Sequence, residues 1–438
     1  MKIAVIGFGA ASIGFVNELK NSGAEIHVFE KSGNIQSSSL SGIRSDGKLM
    51  VSRRVGGILD LDTSIQQKVV DFYINHSGIS RDRVEGGESF GDPGDPIFKK
   101  FYEKGFEPAQ ARFYHIGTDR LGNMLESIYS DILSCPNVRF RFCCTVKNID
   151  IDGQVAKIHF EEHPPGSGAV EKIEAFDFVI IGIGRSGLSL ISTITKKYPD
   201  LVLSNTDVDL GIRFELPDHV VAELNRKMYE FKVLLKSNTG YMVRTFCNNP
   251  SGKVVAEKYN KNDFYTVNGH AEMDFKTSNT NFAVLVTHSF TEPFNDPIGY
   301  GTYIAKLSNI LAGGDKVILQ TYQDFKNAKR TMETGRVKPT LPHEQYILGD
   351  LNLVLPRRTI NSIIDFLERL NEVIPGITFP DNLVYGVEVK FYSNVLDNDR
   401  YAPIKFIGDC SGWSRSITYA TGHGIVTARK YFEGLSSK

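Results

Sequence analysis

The chain is 438 residues long, 41% hydrophobic and 23% charged, with a formal net charge of −1. That length exceeds one ordinary core and predicts two or three domains, while the balanced charge gives no electrostatic case for nucleic acid or an anionic membrane as partner. The first apolar run is short and ends in glycine, so no leader is expected, and no window approaches the roughly 18 apolar residues of a membrane span.

The opening stretch reads KIAVIGFGAASIGFVNELKNSGAEIHVFEK. Residues 2–6 predict a strand buried on both faces. Gly7 and Gly9 follow at once. Apolar Ile13, Val16 and Leu19 among polar Asn17, Glu18 and Lys20 predict a helix that stops at Gly23. Residues 26–30 predict a second strand ending in an acid, 23 positions after Gly7 (30 − 7). In a dinucleotide site Gly7 permits the tight turn and Gly9 lets the backbone approach a pyrophosphate. The helix start at Ala10 and Ala11 offers N–H groups and a partial positive charge. Ser12 stands where the third glycine of G-x-G-x-x-G falls, and Glu30 is placed to accept from adenosine ribose hydroxyls. The extreme N-terminal position and the Glu30-Lys31 pair favour FAD over NAD. The bland alternative is a glycine turn that binds nothing.

Residues 32–57 are rich in Gly and Ser and predict a loop. Ser45, Asp46, Gly47 and Lys48 within it are candidates to embrace the phosphate or ribityl part of a flavin; an ordered surface loop is the alternative. Residues 59–76 and 118–133 predict helices, residues 85–94 an irregular segment, and residues 96–102 a short amphipathic piece. Residues 138–144, 145–149 and 155–160 predict strands of an insert, with Val146 expected beside the cofactor. Residues 176–181 predict a strand followed by a second glycine turn, Gly182-Ile183-Gly184-Arg185-Ser186-Gly187. One reading is a separate NAD(P)-binding unit. The other is a return strand of the first domain, whose turn at Gly182, Gly184 and Arg185 passes close to the same cofactor. Strand-rich sequence downstream, with Asn205 rather than an acid 23 positions after Gly182 (205 − 182), favours the return strand.

Residues 209–216, 231–235, 241–246, 254–258, 264–267 and 282–288 predict a mainly antiparallel sheet, the usual platform of a substrate domain. Helices are expected at 217–229, 302–311, 322–329 and 361–373. Residues 404–408 predict a last apolar strand. Asp409 follows it, then a glycine turn and a helix over 414–432. Gly408 and Gly412 make the bend, and Asp409 is placed to accept from a ribityl hydroxyl. The helix start near Ser414, Ser416 and Ile417 is placed to stabilise negative charge at the flavin N1–C2=O edge. The expected architecture is α/β: a Rossmann-like FAD-binding domain assembled from N-terminal, middle and C-terminal segments, with a mainly antiparallel β (α+β) substrate domain inserted. The expected boundaries are 1–207, 208–375 and 376–438.

Taken in order, GFGAAS and VFEK, SDGKL, FVIIGIGRSG and FIGDCSGWSRSITYATGHG resemble a flavoprotein of the glutathione-reductase-like superfamily. With VDLGIRFELP, VRTFCNNPSGKVV, NTNFAVLV, DPIGYG and VEVKFYSN, the chain more narrowly resembles a poorly characterised family of FAD-dependent dehydrogenases. It departs at Ser12, Cys410 and residues 413–416, where smaller residues are usual. The resemblance implies FAD and a hydride passed between flavin N5 and a small organic substrate. The many Phe and Tyr of the middle region hint that this substrate is aromatic or apolar. NAD(P)H is a candidate transient reductant. A flavin-dependent monooxygenase and a non-catalytic FAD-binding protein are the alternatives.

Cys247, His288 and His423 are the candidate catalytic residues, each with a structural role as its bland counterpart. Arg213 and Arg244 are candidates to hold an anionic substrate. Tyr419 and Trp413 are expected as pocket walls. Five scattered cysteines without a C-x-x-C predict reduced thiols in a cytoplasm and no metal site.

Overall fold

Strand Lys2–Ile6 pairs in parallel with Glu25–Phe29 on one side and with Phe178–Ile181 on the other. Val138–Arg141 and Ile404–Phe406 close the two edges of this five-stranded, wholly parallel sheet. Its apolar strands are buried on both faces, as parallel strands must be. One face packs on helices Ala10–Leu19, Thr63–Ser77, Leu121–Leu133 and Ile417–Ser436. The other packs on helix Leu188–Lys197 and on an antiparallel sheet of Cys144–Asp152, Val155–Glu162 and Val170–Phe176. The strand before the second glycine turn is therefore a return strand of the first sheet, not the start of a separate unit.

This computed structural model describes all residues except 36–47, 53–55, 81–84, 89–93, 110–111, 117–119, 164–165, 167, 185–186, 205–206, 228–230, 260–263, 271–275, 292, 295 and 437–438. The chain divides into two units. The first comprises Met1–Gly86, Ala111–Thr206 and Tyr392–Lys438, and the second Gly87–Gln110 and Asp207–Phe391. Two segments thus lie outside the expected boundaries. Residues 87–110 belong to the second unit, and so does strand Leu383–Phe391, which pairs with Val208–Pro217 and Val317–Thr321. The C-terminal return begins at Tyr392 rather than residue 376. Segment 85–94, expected irregular, contains strand Glu85–Glu88.

Two helix starts differ from the expected ones where an acid caps them. Asp62 accepts from Ser64 N–H at 2.7 Å, so the helix begins at Thr63 rather than residue 59. Asp296 accepts from Gly299 N–H at 2.8 Å, with Pro297 in the first turn, so that helix begins five residues before the expected 302 (302 − 297).

In the second unit an eight-stranded sheet has two unlike faces. Along Val208–Pro217, Val208, Leu210, Ile212, Phe214 and Leu216 join an apolar core with helices Pro297–Leu311 and Arg357–Val373. Asp209, Arg213 and Glu215 point the other way, as strand alternation requires, and all three are buried. Hairpin Lys253–Tyr259 and Phe264–His270 packs along that polar side.

Within the first unit, helices Ala10–Leu19 and Ile417–Ser436 approach backbone to backbone. A Cβ at Gly14 would strike Thr421 O, and one at Gly424 would strike Ala11 O and come within 2.7 Å of Phe15 N. Alanine is a better helix former than glycine by about 1 kcal/mol, but overpacking costs about 1–3 kcal/mol. Gly424→Ala is therefore expected to lower stability. Gly122→Ala, in a helix where a new Cβ meets nothing within 4 Å, is expected to be neutral or mildly stabilising. Denaturant midpoints of the two variants decide it: shifts of the same sign would remove the close-contact account. No helix among the described residues is long and apolar enough to cross a membrane.

Candidate functional site

Three neighbouring strands, Lys2–Ile6, Phe178–Ile181 and Ile404–Phe406, all run into glycine turns at the same end of the parallel sheet. Gly7 has φ +79° and its N–H donates to Phe29 O at 2.8 Å. Gly182 N–H donates to Ile6 O at 3.0 Å, and a Cβ at Gly7 would lie 3.1 Å from Gly182 O. A Cβ at Gly182 would strike Ser12 Oγ, and one at Gly408 would lie 2.8 Å from Ala11 Cβ. The structure thus brings Gly7, Gly9, Ala10, Ala11, Ser12, Gly182 and Gly408 to one place. Gly184 continues the second turn with φ +56°.

Helix Ala10–Leu19 starts at Gly9 with no side-chain cap. Its first N–H groups have no intrahelical partner and carry the positive end of the helix dipole. The hydroxyl of Ser12 is fully buried and without a hydrogen-bond partner. Glu30, also buried, accepts from Phe8 N–H at 3.0 Å through Oε2 and from Ser32 N–H and Oγ–H at 3.0 and 2.9 Å through Oε1. Of its roughly four acceptor positions about one is left over. Lys31 is exposed. Val146 points into the core around Phe29 and Phe160, so its side chain is packing. Lys48 opens strand Lys48–Val51, paired with Arg112–His115. Ser45, Asp46, Gly47 and Arg185 lie outside the described residues.

At the C-terminal bend, Asp409 opens the short turn Asp409–Ser411 and is half-buried. A Cβ at Gly412, φ +76°, would strike Asn394 O. Trp413 is anchored: its Nε1–H donates to Leu396 O at 2.7 Å, and its carbonyl accepts from Ile58 and Leu59 N–H at 3.0 and 2.9 Å. Ser414 bridges to Gly57, and buried Tyr419 packs against Gly56 where a Cβ would strike its ring. The helix starts at Ile417, not 414. Ser416 caps it, accepting from Tyr419 N–H at 3.4 Å through Oγ and from Ala420 N–H at 3.0 Å through its carbonyl, from an unusual φ of +69°.

One expected reactive group, His423, proves structural, and so does Cys410 in the Asp409–Ser411 turn. His423 is buried, and its Nδ1 accepts from Gly408 N–H at 3.2 Å, with Ser414 Oγ also at 3.2 Å. An accepting Nδ1 places the ring proton on Nε2. Burial pulls the imidazole down to about 4, so it is a neutral clamp on the Gly408 turn rather than a proton donor near pH 7. The Cys410 thiol is fully buried and pushed up to about 12 by that burial, which leaves it inert.

The second unit places four further candidates, Arg213, Arg244, Cys247 and His288, and overturns two of them, Arg213 and His288. Arg213 is wholly buried: its guanidinium donates to Cys247 O and Asn268 Oδ1, each at 3.0 Å, and Nε lies 3.3 Å from Glu388 Oε2. It ties strands together and is not available to a substrate. Cys247, φ +46°, sits where the ladder between Met242–Asn249 and Asn279–His288 shifts register, and its carbonyl, not its thiol, serves Arg213 and Asn249. His288 is buried in the apolar core, with Nε2 3.1 Å from Thr359 Oγ1 and its ring 4.9 Å from Tyr241, and burial pulls it down to about 4. Cys247 and His288 are not brought together. Cys247 follows Phe246, which pairs with Ala283, five residues along the strand from His288 (288 − 283). That is about 16 Å. Arg244 remains half-exposed and pairs with buried Asp209. Sequence reasoning missed Lys232, Phe246 and Lys390 beside it; only strand pairing reveals them as neighbours. Among the described residues no cluster of three or more His, Cys, Asp or Glu could hold a metal ion.

Two of the three histidines buried among the described residues, His288 and His423, set most of a pH dependence, and burial lowers His27 in the same direction. The unfolded chain protonates His288 and His423 near 6.5, whereas the folded chain resists until about 4. The unfolded state therefore holds more protons in between, and stability falls as pH drops from 6.5 to 4, by about 3 kcal/mol per histidine at most. Above 6.5 their contribution is flat. In His423→Gln the loss between pH 6.5 and 4.5 should be clearly smaller than in the parent, measured as denaturant midpoints; parallel pH profiles would show that His423 is not neutral in the fold.

Residues 210–391, under half of the chain, match a family model described as FAD-dependent protein, C-terminal domain-like. No curated protein matches the chain. Among solved structures, the chain is similar to a flavoprotein/dehydrogenase from Cytophaga hutchinsonii, at 10% identity and TM-score 0.43, covering 99% of this chain and 79% of the other. A second is 2,6-dihydroxypyridine-3-hydroxylase from Arthrobacter nicotinovorans, at 13% identity and TM-score 0.41, covering 100% and 84%. A third is p-nitrophenol 4-monooxygenase from Pseudomonas putida, at 12% identity and TM-score 0.39, covering 99% and 80%.

Proposed function

We propose that the chain is an FAD-dependent oxidoreductase whose first unit holds the cofactor at its three glycine turns. The observation that carries this reading is the uncapped helix start at Gly9, beside which the Ser12 hydroxyl packs against Gly182. A pyrophosphate answers that start, since it brings negative charge and acceptor oxygens to N–H donors that have none. Glu30 supports it: three backbone and side-chain donors fix its carboxylate, and the acceptor position left over suits a ribose hydroxyl. The match of residues 210–391 to FAD-dependent proteins is independent of these residues and agrees with them. The first unit's assembly from three chain segments is also what the glutathione-reductase-like resemblance implies.

Bound FAD would supply the redox chemistry that side chains lack. The chain's own part is to hold and polarise. The N–H groups at Ala10 and Ala11 neutralise phosphate charge, Asp409 offers a carboxylate at the end of the third strand, and the helix start at Ser416 and Ile417 presents a positive dipole end. The finer reading is a cytoplasmic dehydrogenase or reductase acting on a small organic molecule, with NAD(P)H as transient reductant. The oxygen-activating alternative is the activity that two of the three compared structures carry in their names.

Gly9 gives a clean test. A Cβ there meets only Gly182 O, at an ordinary 3.7 Å, so Gly9→Ala should fold with stability within about 0.5 kcal/mol of the apo parent. It should bind FAD at least about tenfold more weakly, because the methyl occupies the approach of the phosphate. A colourless parent that ignores added FAD would refute the proposal. Rapid mixing of photoreduced protein with oxygen then separates the two chemistries. Single-step return of the yellow spectrum, with no transient species, favours the dehydrogenase or reductase reading, and a transient third spectrum indicates oxygen activation. A flavin that no reductant or substrate alters would make the protein a non-catalytic FAD binder.

A further inference from the structure

On the polar face of the second unit's sheet, three cations converge on one aromatic ring. Lys390 Nζ lies 5.0 Å, Arg244 Cζ 5.2 Å and Lys232 Nζ 5.6 Å from the centroid of Phe246. The sequence scatters them over 159 positions (390 − 232 + 1). The strand of Lys390 and the strand of Phe246 are separated by Val208–Pro217 and Asn279–His288. Three inter-strand spacings make about 14 Å. Both side chains must therefore lean across the intervening strands to meet. The rows between them carry small or apolar Gly211, Ala283 and Leu285, together with Arg213, which pairs with Ala283, and Asp209, which pairs with Lys390.

Long cationic side chains at a surface ordinarily extend apart into water, since like charges repel and their rotamer freedom is worth keeping. Arg244 and Lys390 are held back by acids set behind them. Asp209, 1% exposed, pairs with Arg244 and accepts from Thr287 Oγ1–H at 2.8 Å. Glu388, also 1% exposed, lies 3.3 Å from Lys390 Nζ. Phe246 adds a quadrupole that favours cations near its face. Arg244, Lys390 and Phe246 all keep part of their surface exposed. The result is a preorganised, reachable anion site with an apolar floor. With buried Arg213 beside Glu388, and with Glu257 facing Lys390, four cations (Lys232, Arg244, Lys390, Arg213) stand against three carboxylates (Asp209, Glu388, Glu257), so the patch suits a singly charged head rather than a polyphosphate.

We propose that this patch binds the carboxylate of an organic acid, its anionic head against Arg244 and Lys390 and its apolar body on Phe246. Assigning that acid as the substrate rests on the oxidoreductase reading; the binding site itself does not. The probes are benzoate and its neutral isostere benzamide, titrated calorimetrically into the full chain. Benzoate should bind saturably and at least about tenfold more tightly than benzamide. In Lys390→Gln, where Glu388 keeps Arg213 as partner, benzoate should weaken about tenfold while benzamide and the circular dichroism stay unchanged. Should that variant not fold, raising salt from about 0.02 to about 0.5 M with the parent chain must weaken benzoate and spare benzamide. No saturable benzoate binding, equal affinity for the two probes, or benzoate affinity indifferent to both Lys390 and salt would overturn the proposal. A yellow protein that ignores benzoate sinks this site alone, and a colourless one that binds it sinks only the flavin reading.

Discussion

Where helices Ala10–Leu19 and Ile417–Ser436 cross, Gly14 and Gly424 let one backbone rest on the other, against Thr421 O and Ala11 O. No side chain intervenes, so the two helices rest in direct backbone contact. Ala11 then abuts Gly408, Ser12 abuts Gly182, and Gly182 in turn bonds to Ile6. Three strand ends far apart in sequence are thereby held within van der Waals distance of one helix N-terminus. His423 continues the same logic: one turn of helix brings it back to accept the N–H of Gly408, a donor that the strained φ of +74° takes out of the strand ladder. Burial keeps the ring neutral, and only the neutral ring can accept that bond.

The second unit depends on a different asymmetry. One face of its eight-stranded sheet is an ordinary apolar core, while the other buries ions. Arg213, Asp209, Glu215 and Glu388 are each at most 1% exposed. Isolated buried charges are costly, and each of these has an answer nearby. Glu388 stands beside Arg213, Asp209 beside Arg244, and Glu215 accepts from Tyr385, Thr340 and Asn279. Burial and these neutral donors work against each other at Glu215, where burial prevails and its carboxyl is raised above the ordinary range. Such a face fixes side-chain positions more rigidly than a solvated one, and the partly exposed cations around Phe246 inherit that rigidity.

What the sequence made legible was local. The first strand, glycine turn, helix and second strand follow from periodicity and glycine placement within thirty residues, and they stand nearly as expected. The return strand was also readable, because its own apolar run and turn announce it. The assignments that failed concern partners across the chain. Arg213 on a strand looks like an anion binder until Glu388 is found beside it, 175 positions later (388 − 213). His288 and His423 look titratable until burial is known. Strand Leu383–Phe391 was read with the C-terminal segment because nothing local says that its ladder partners lie at Val208–Pro217 and Val317–Thr321. Lys232, Phe246 and Lys390 carry no motif at all; only pairing across five strands makes them neighbours.

The three-segment build of the first unit also bears on how the chain is made. On a ribosome, the opening strand and helix emerge early, yet Gly14 cannot meet Gly424 until 410 further residues have been translated (424 − 14). Until then that helix shows its apolar stripe, and the Phe178–Ile181 strand keeps an open edge where Ile404–Phe406 will dock. Such non-local closure slows folding and leaves sticky surfaces exposed in the meantime. The second unit's Asp207–Phe391 segment is synthesised inside that interval, so it has time to form before its host is finished.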